Sequence, residues 1–577
     1  MSIHFIMKSS PSPPRKANSL LVFFTFFSLG IVVSGVTYYF GRKFIMGEQL
    51  TPLSSAKLVP ESAYTTVFIS TSSRGWQKLS QFGNASVSLS TVFTNAIDNL
   101  LKDSLGNPQN NLDLRKDILP WLGGVSLAVF PSPNTKDNID IAVIGGIKNK
   151  LRAYLFFRNY QKQMPEKPPC NRYDKIDICR LKLREGRDVY VATFDNYLVL
   201  GDEQKTVESV ISAYQNGNNL AKKYSDKSPQ DYSQSLVHVY FPQYGSTLVD
   251  TLQKLQPNQQ QLDTSLQDIL LRIKTVAADL KVENHGIKAT LTVQHDRGIY
   301  NDFYPKPVSP DVLANIPNSA ILVITGGNLK NSWDFFQKKR ETIPDLDELL
   351  VQLELLANQE YNLDLNKDIF SWLDGEFALA IAYDNSKNSL LDNLQGLLLI
   401  KTSNKPQAEN TLALLEERAK LNPFILLENR KEKNLNITDW NLSKRTILSH
   451  TWLDNNSLLF SLGRGLDSSN IPSRNNNSIM QDSNFKITTQ SLTKNNYGYF
   501  YLDLEKTRHL LSKINPHILE NLPGDAPVLL ESVRAIAATS TSNNDTTKLE
   551  FNLSLVRRGS RKVQQGDSSL PSEKLQP

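Results

Sequence analysis

Cysteine and histidine are scarce in this chain, two and seven among 577 residues. A closed zinc site wants four ligands. Cys170 and Cys179, nine positions apart in Pro-Pro-Cys-Asn-Arg-Tyr-Asp-Lys-Ile-Asp-Ile-Cys, have no His beside them and no second Cys pair. The histidines are dispersed; His285 and His295, at opposite ends of an expected strand, read as surface residues rather than ligands. Linear catalytic signatures are missing too: there is no Gly-x-Ser-x-Gly elbow, no His-Glu-x-x-His pair and no Gly-x-x-x-x-Gly-Lys-Ser/Thr phosphate loop. Ser54/Lys57, Ser483/Lys486 and Ser491/Lys494 have the spacing of a serine-lysine nucleophile, but such spacings arise often by chance. No catalytic, cofactor-binding or metal residue is assigned, and no cofactor is expected. Clustered positive charge is also absent from the body. The net charge is +6, but residues 1–50 carry +4 and residues 557–577 carry +3, leaving 51–556 at −1. Nucleic-acid binding needs clustered cations to neutralise phosphates, so it is excluded.

What is present begins with an uncharged run, Ser19 to Phe40. As a helix it would be roughly 33 Å long, close to the hydrocarbon thickness of about 30 Å. Tyr38, Tyr39 and Phe40 suit the headgroup region, with Arg42 and Lys43 following in water. Lys8, Arg15 and Lys16 precede the run, three cations against two, so the positive-inside rule favours a cytoplasmic N-terminus and an exported body. A cleaved signal peptide is the rival, since Val33-Ser34-Gly35 offers small residues, but the run is long for a signal core. Gly30 and Ser34 have the small-xxx-small spacing through which two such helices could dimerise. In an oxidising compartment Cys170 and Cys179 read as a local disulfide across a turn; the other reading is two thiols, Cys179 buried in a strand.

The rest of the chain contains one long motif twice. Asn111-Leu-Asp-Leu-Arg-Lys-Asp-Ile-Leu-Pro-Trp-Leu-Gly-Gly124 returns as Asn362-Leu-Asp-Leu-Asn-Lys-Asp-Ile-Phe-Ser-Trp-Leu-Asp-Gly375, an offset of 251. The duplication extends further: Val59-Pro60 is echoed by Ile316-Pro317, Asn149-Lys150 by Asn404-Lys405, Asp195-Asn196 by Asp454-Asn455, and Val276-Ala-Ala278 by Ile536-Ala-Ala538 at an offset of 260. The expected organisation is an N-terminal segment 1–18, a transmembrane helix 19–40, a linker 41–57, a first repeat 58–296, a Pro-bearing linker 297–309, a second repeat 310–556 and a disordered tail 557–577.

Within a copy, period-2 and period-3.6 patterns alternate. Strands are expected at Thr65–Ser72, Val125–Phe130, Ile139–Ile144, Lys175–Lys182, Asp188–Phe194, Tyr197–Gly201, Leu236–Phe241 and Gly286–Gln294. Helices are expected over Leu151–Gln163 and Glu203–Asn216, with another carrying Leu266, Ile269, Leu270 and Ile273. The second copy follows the same course, with a helix stripe of Leu346, Leu349, Leu350, Leu353 and Leu356. Strands that follow one another directly favour antiparallel pairing, so the class is α+β: two tandem homologous domains with mainly antiparallel sheets and packed helices.

The duplicated motif admits two readings. Asp113, Asp117, Asp364, Asp368 and Asp374 could ligate a hard cation, but neither copy has the alternating oxygens, central Gly and distal Glu of a calcium loop. Structurally, Asp113 caps a short helix, Leu114, Ile118, Trp121 and Leu122 pack inward, and Gly124 permits the turn into the next strand; Asp117, Trp121 and Gly124 with Asp368, Trp372 and Gly375 are then the residues of a structural motif. The structural reading is preferred. At this motif the chain resembles a cyanobacterial family of membrane-anchored proteins of unknown function with an Asp-x-x-Pro-Trp-Leu-Gly element. Asp117 to Gly123 matches it, and Asp368 to Asp374 departs by losing the Pro and first Gly. The resemblance implies the periplasm or thylakoid lumen and brings no catalytic residues. The expected function is non-catalytic binding or scaffolding at the membrane, of a partner protein or an apolar ligand. The alternative is an enzyme, for instance a hydrolase, whose site has no linear signature.

Overall fold

The computed structural model describes residues 47–558 apart from 85–86, 92–113, 133–138, 163–166, 183–187, 226–233, 256–263, 298–305, 341–343, 385–392, 468–470, 472–476, 516, 518–521, 524–525 and 544. The run Ser19–Phe40, Asp113, most of the linker 297–309 and the tail from 559 onward therefore lie outside the described residues. Among the described residues no helix is long and apolar enough to cross a membrane. The chain divides into two compact units, one formed by residues up to Trp76 with Ser90–Pro242, the other by Gln77–Leu89 with Gln243 onward.

The first unit holds strands β1 (Thr65–Ile69), β2 (Leu122–Pro131), β3 (Ile139–Ile147), β4 (Cys170–Tyr173), β5 (Ile176–Lys182), β6 (Asp188–Phe194), β7 (Tyr197–Gly201) and β8 (Val237–Phe241). Every pairing is antiparallel, in the order β8-β1-β2-β3-β7-β6-β5-β4. Hairpins dominate because primed turns match strand twist; Asp174 and Lys175, both at positive φ, close β4 onto β5. The core lies where the helix Lys150–Gln161 sets Ala153 and Phe157 over Val143, Val191, Leu198 and Leu200.

The second unit holds β9 (Ile273–Val282), β10 (Gly286–His295), β11 (Ala320–Gly327), β12 (Glu376–Tyr383), β13 (Leu394–Lys401), β14 (Ile425–Glu432), β15 (Leu435–Leu442), β16 (Arg445–Trp452), β17 (Ser457–Leu462), β18 (Tyr499–Asp503), β19 (Val533–Ser542) and β20 (Thr546–Leu555). Its order is β9-β10-β20-β19-β18-β11-β12-β13-β17-β16-β15-β14, again antiparallel throughout. The stretch from β18 to β14 repeats the order β8 to β4 strand for strand, and Lys433 and Asn434 repeat the positive-φ turn of Asp174 and Lys175. The class is therefore mixed helix and antiparallel sheet.

The hairpin β9–β10 is assigned by the repeat to the first copy, yet it lies in the second compact unit. The cause is β10, which pairs with β20 over nine positions, Gly286↔Ser554 to Gln294↔Thr546. At the repeat offset of 260, Thr290 and Glu550 are counterparts, and they face each other across that ladder. Equivalent strands thus meet about a local twofold axis, the geometry of a self-complementary interface formed within one chain.

Candidate functional site

In the first copy of the motif, Leu114–Ile118 forms a single π-helical turn and Trp121 is 1% exposed. Its Nε1–H donates to the Asp117 carbonyl at 2.8 Å, and its ring lies 5.6 Å from Phe156 and 5.3 Å from Phe157. The second copy repeats the arrangement over Leu365–Phe370. Trp372 donates to the Asp368 carbonyl at 2.9 Å, and Asp364 caps the turn by accepting from the Asn366 and Lys367 amides. Asp368 Oδ2 accepts from the Asp364 amide at 2.8 Å. These carboxylates are turned onto backbone amides, and among the described residues no group of three His, Cys, Asp or Glu could hold a metal ion. Gly124 sits at φ +124°, and a Cβ on Gly375 would come 2.2 Å from the Lys401 carbonyl oxygen, so both turns require glycine.

Cys170 and Cys179 face each other across β4 and β5 and are joined as a disulfide, Cys179 buried and Cys170 exposed. The three serine-lysine pairs are engaged elsewhere. Ser54 completes a capping box with Thr51, Lys486 donates to Gln481, and Ser491 accepts from Asn552. His295 departs from its reading as a surface residue: it is buried at the strand end, bonded to the Asp296 carbonyl and to Thr547 Oγ1. Strand periodicity does not register such a satisfied histidine at a hairpin end.

Two polar features remain in the first unit. An open cleft of about 370 Å³ runs along the helix Gln204–Asn216, lined by Pro60, Tyr173, Lys205, Glu208 and Ser212 among others. Below that helix, Thr206 Oγ1 lies 2.8 Å from Asp140 Oδ2 and 3.1 Å from Asp202 Oδ1. Burial pushes the Asp202 carboxyl up to about 6, and the charge of Asp140 adds to the rise. A raised carboxyl keeps its proton in the folded state after the unfolded chain has lost it, so this site stabilises the protein below about pH 4. That contribution is lost as pH climbs through about 6. Asp202→Asn is expected to raise stability at pH 7.5 by about 1–2 kcal/mol and to have little effect at pH 4, read by urea unfolding at both pH values. Equal midpoints of variant and parent at pH 7.5 would contradict this.

The feature without precedent in the sequence reading is the sheet of the second unit. Its core side is conventional: Ala537, Tyr501, Val323, Ala380 and Leu397 oppose one another across five strands and are buried. Polar groups share the buried side on β20, where Glu550, Asn552 and Ser554 are enclosed. Glu550 is 2% exposed between Lys288 at 3.1 Å and Lys548 at 3.0 Å, and its Oε2 accepts from the Thr493 amide at 2.8 Å. Burial works against its charge, but the bonds from Thr493 and Lys548 and the nearby Lys288 ammonium hold its carboxyl down at about 2.

The opposite side is apolar and open. Leu379 opposes Ile324, which opposes Phe500. Phe500 opposes Ala538, and Ala538 opposes Phe551. Phe551 opposes Ala289, which opposes Leu280. The next row reads Ile381, Leu322, Leu502, Ile536, Leu553, Ile287 and Val282. Phe551 is 38% exposed, and Leu379 and Phe500 are each 39% exposed; the other members of the two rows are half-buried or exposed, except Val282 at the sheet edge, which is buried. The helix Lys405–Lys420 covers this side at β13 and β17, through Ala408 and Leu412 on Ile400 and Leu458, and the helix Leu504–Ile514 covers its end at Tyr383 and Leu394 through Leu510. An antiparallel sheet with one solvated side alternates apolar inward with polar outward. β20 does the reverse, Glu550 in and Phe551 out. The first unit has a smaller row of the same kind, Val239-Val67-Leu127, half-buried.

The chain belongs to a family described as protein of unknown function (DUF3352), which matches residues 21–555. No curated protein matches it. Crystal forms IV, III and I of TP0453 are similar at 12% identity, with TM-scores of 0.25, 0.24 and 0.22, covering 41–42% of this chain and 78–79% of that one.

Proposed function

We propose that this member of the family is a single-pass, membrane-anchored protein whose two tandem homologous α+β modules lie in the periplasm or thylakoid lumen of a cyanobacterium and bind rather than catalyse. The observation that carries the binding role is the open apolar side of the second unit's sheet. Contiguous exposed apolar patches on soluble proteins mark interaction sites, and here the residue alternation of β20 is turned so that such a patch results. Anchoring is read from the uncharged run Ser19–Phe40, which as a helix has the length to cross the hydrocarbon of a bilayer. An oxidising compartment is supported by the Cys170–Cys179 pair. Gly30 and Ser34 offer the run a close-packing face for a second copy.

A phosphatase reporter that must be oxidised to fold, fused after Val556, is expected to be active, and the protein is expected to stay in the membrane pellet through alkaline carbonate. An inactive reporter places the body in the cytoplasm and ends this reading of location.

A further inference from the structure

We propose that the open side of the second unit's sheet, from β12 across to β9, is a site for the acyl chains of a membrane lipid. The inference rests on the anchored, binding role just given and specifies its ligand. Every side chain in the row from Leu379 to Leu280 is a hydrocarbon. The strands beneath, the edge strand β9 excepted, are interior to the sheet, so their amides and carbonyls are spent on the ladders. A peptide laid here would find no partner for its own backbone, and a folded partner needs a polar, hydrogen-bonded rim that these rows do not supply. An alkyl chain asks for neither.

The shape agrees. Seven strands at about 4.8 Å spacing make the row roughly 29 Å long, comparable with the hydrocarbon thickness of about 30 Å that two opposed acyl chains fill. From Phe500 to Leu280 large and small side chains alternate, Ala538 and Ala289 forming depressions on either side of Phe551. The length of chain outside the described residues names the source. The uncharged run ends at Phe40, and Leu50 is already fixed, its amide donating to the Gly123 carbonyl at 2.7 Å. Ten residues reach at most about 35 Å. The tether therefore keeps the chain at the bilayer that holds the run, and that bilayer is its supply of hydrocarbon.

The test uses the full chain reconstituted in phosphatidylcholine vesicles that contain a phosphatidylcholine with a diazirine at one acyl terminus. After illumination, labelled peptides are mapped by mass spectrometry. Label is expected on β12, β18 and β20 as well as on the run 19–40. In Leu379→Ser/Phe551→Ser, sheet labelling should fall at least about tenfold while labelling of the run, an internal control, stays unchanged. Ile381→Ser/Phe500→Ser serves as a second variant, with thermal melting recorded for both so that lost labelling is not lost folding. Label confined to the run overturns the acyl-chain site while the anchored role stands. Label on neither overturns both. Undiminished sheet labelling in both folded variants also overturns the site.

Discussion

Trp372→Ala is expected to cost roughly 3–5 kcal/mol, and Trp121→Ala the same in the other unit. The size follows from burial and from what each ring satisfies. Trp372 is 3% exposed and packed among Leu373, Ile400, Leu412 and Leu458. Its Nε1–H serves the Asp368 carbonyl, and it lies 3.1 Å from Thr411 Oγ1. Truncation leaves a cavity beneath the π-helical turn and withdraws a donor from the carbonyl that the turn exposes inward. A typical domain holds about 5–15 kcal/mol in all, so the loss would show as a melting transition lowered by many degrees. Trp372→Phe should cost markedly less, because the ring volume largely remains and Thr411 still donates to Asp368. Differential scanning calorimetry of the three proteins decides it. An unchanged transition in Trp372→Ala would remove the packing role and return the motif to the list of binding sites.

Most strands were legible in the sequence, and the residues that were not share a cause. Asp188–Phe194 and Tyr197–Gly201 are found as read, because β-branched and aromatic side chains recur on a period of two there. β4 is missing from the reading because Cys-Asn-Arg-Tyr is exposed and polar and is held as a strand by its hairpin turn. β9 is missing because Ala277 and Ala278 weaken its alternation and Ile273, its first residue, completes a helical spacing begun at Leu266. The stripe of the helix Pro344–Tyr361 is legible as a helix, but its period does not say where it points: Leu350 is buried while Leu349, Leu353 and Leu356 are exposed. The open apolar side was hidden for the same reason. Alternation along β20 separates Glu550 from Phe551 but cannot tell which of the two faces the core, and the ordinary expectation puts the aromatic inside. Only the third dimension, where Lys288, Lys548 and Thr493 converge on one carboxylate, reverses it.

That reversal makes Glu550 the second residue whose loss should be severe. Glu550→Gln keeps the shape but leaves Lys288 and Lys548 beside a neutral amide at a position 2% exposed, and breaking such a buried pairing costs roughly 3–5 kcal/mol. Lys288 retains one acceptor, the Ser491 carbonyl at 2.5 Å, whereas the Thr493 amide keeps only the weaker amide oxygen. The pH dependence separates charge from packing. The Glu550 carboxyl is held at about 2 when folded, below the value near 4.3 of an unfolded glutamate. Its contribution is therefore present above about pH 4.3 and is lost as pH falls toward 2. Urea unfolding at pH 7 should show the variant much weaker than the parent, and the gap should narrow steadily from pH 4.5 to pH 2.5. A gap that stays constant over this range would mean that the loss does not come from the Glu550 charge. No gap at pH 7 would mean that the polar cluster adds nothing to the ladder. The local twofold explains why one acid carries so much: Lys288 and Lys548 are counterparts at the repeat offset, but the counterpart of Glu550 is Thr290, so a single carboxylate balances both lysines at the axis.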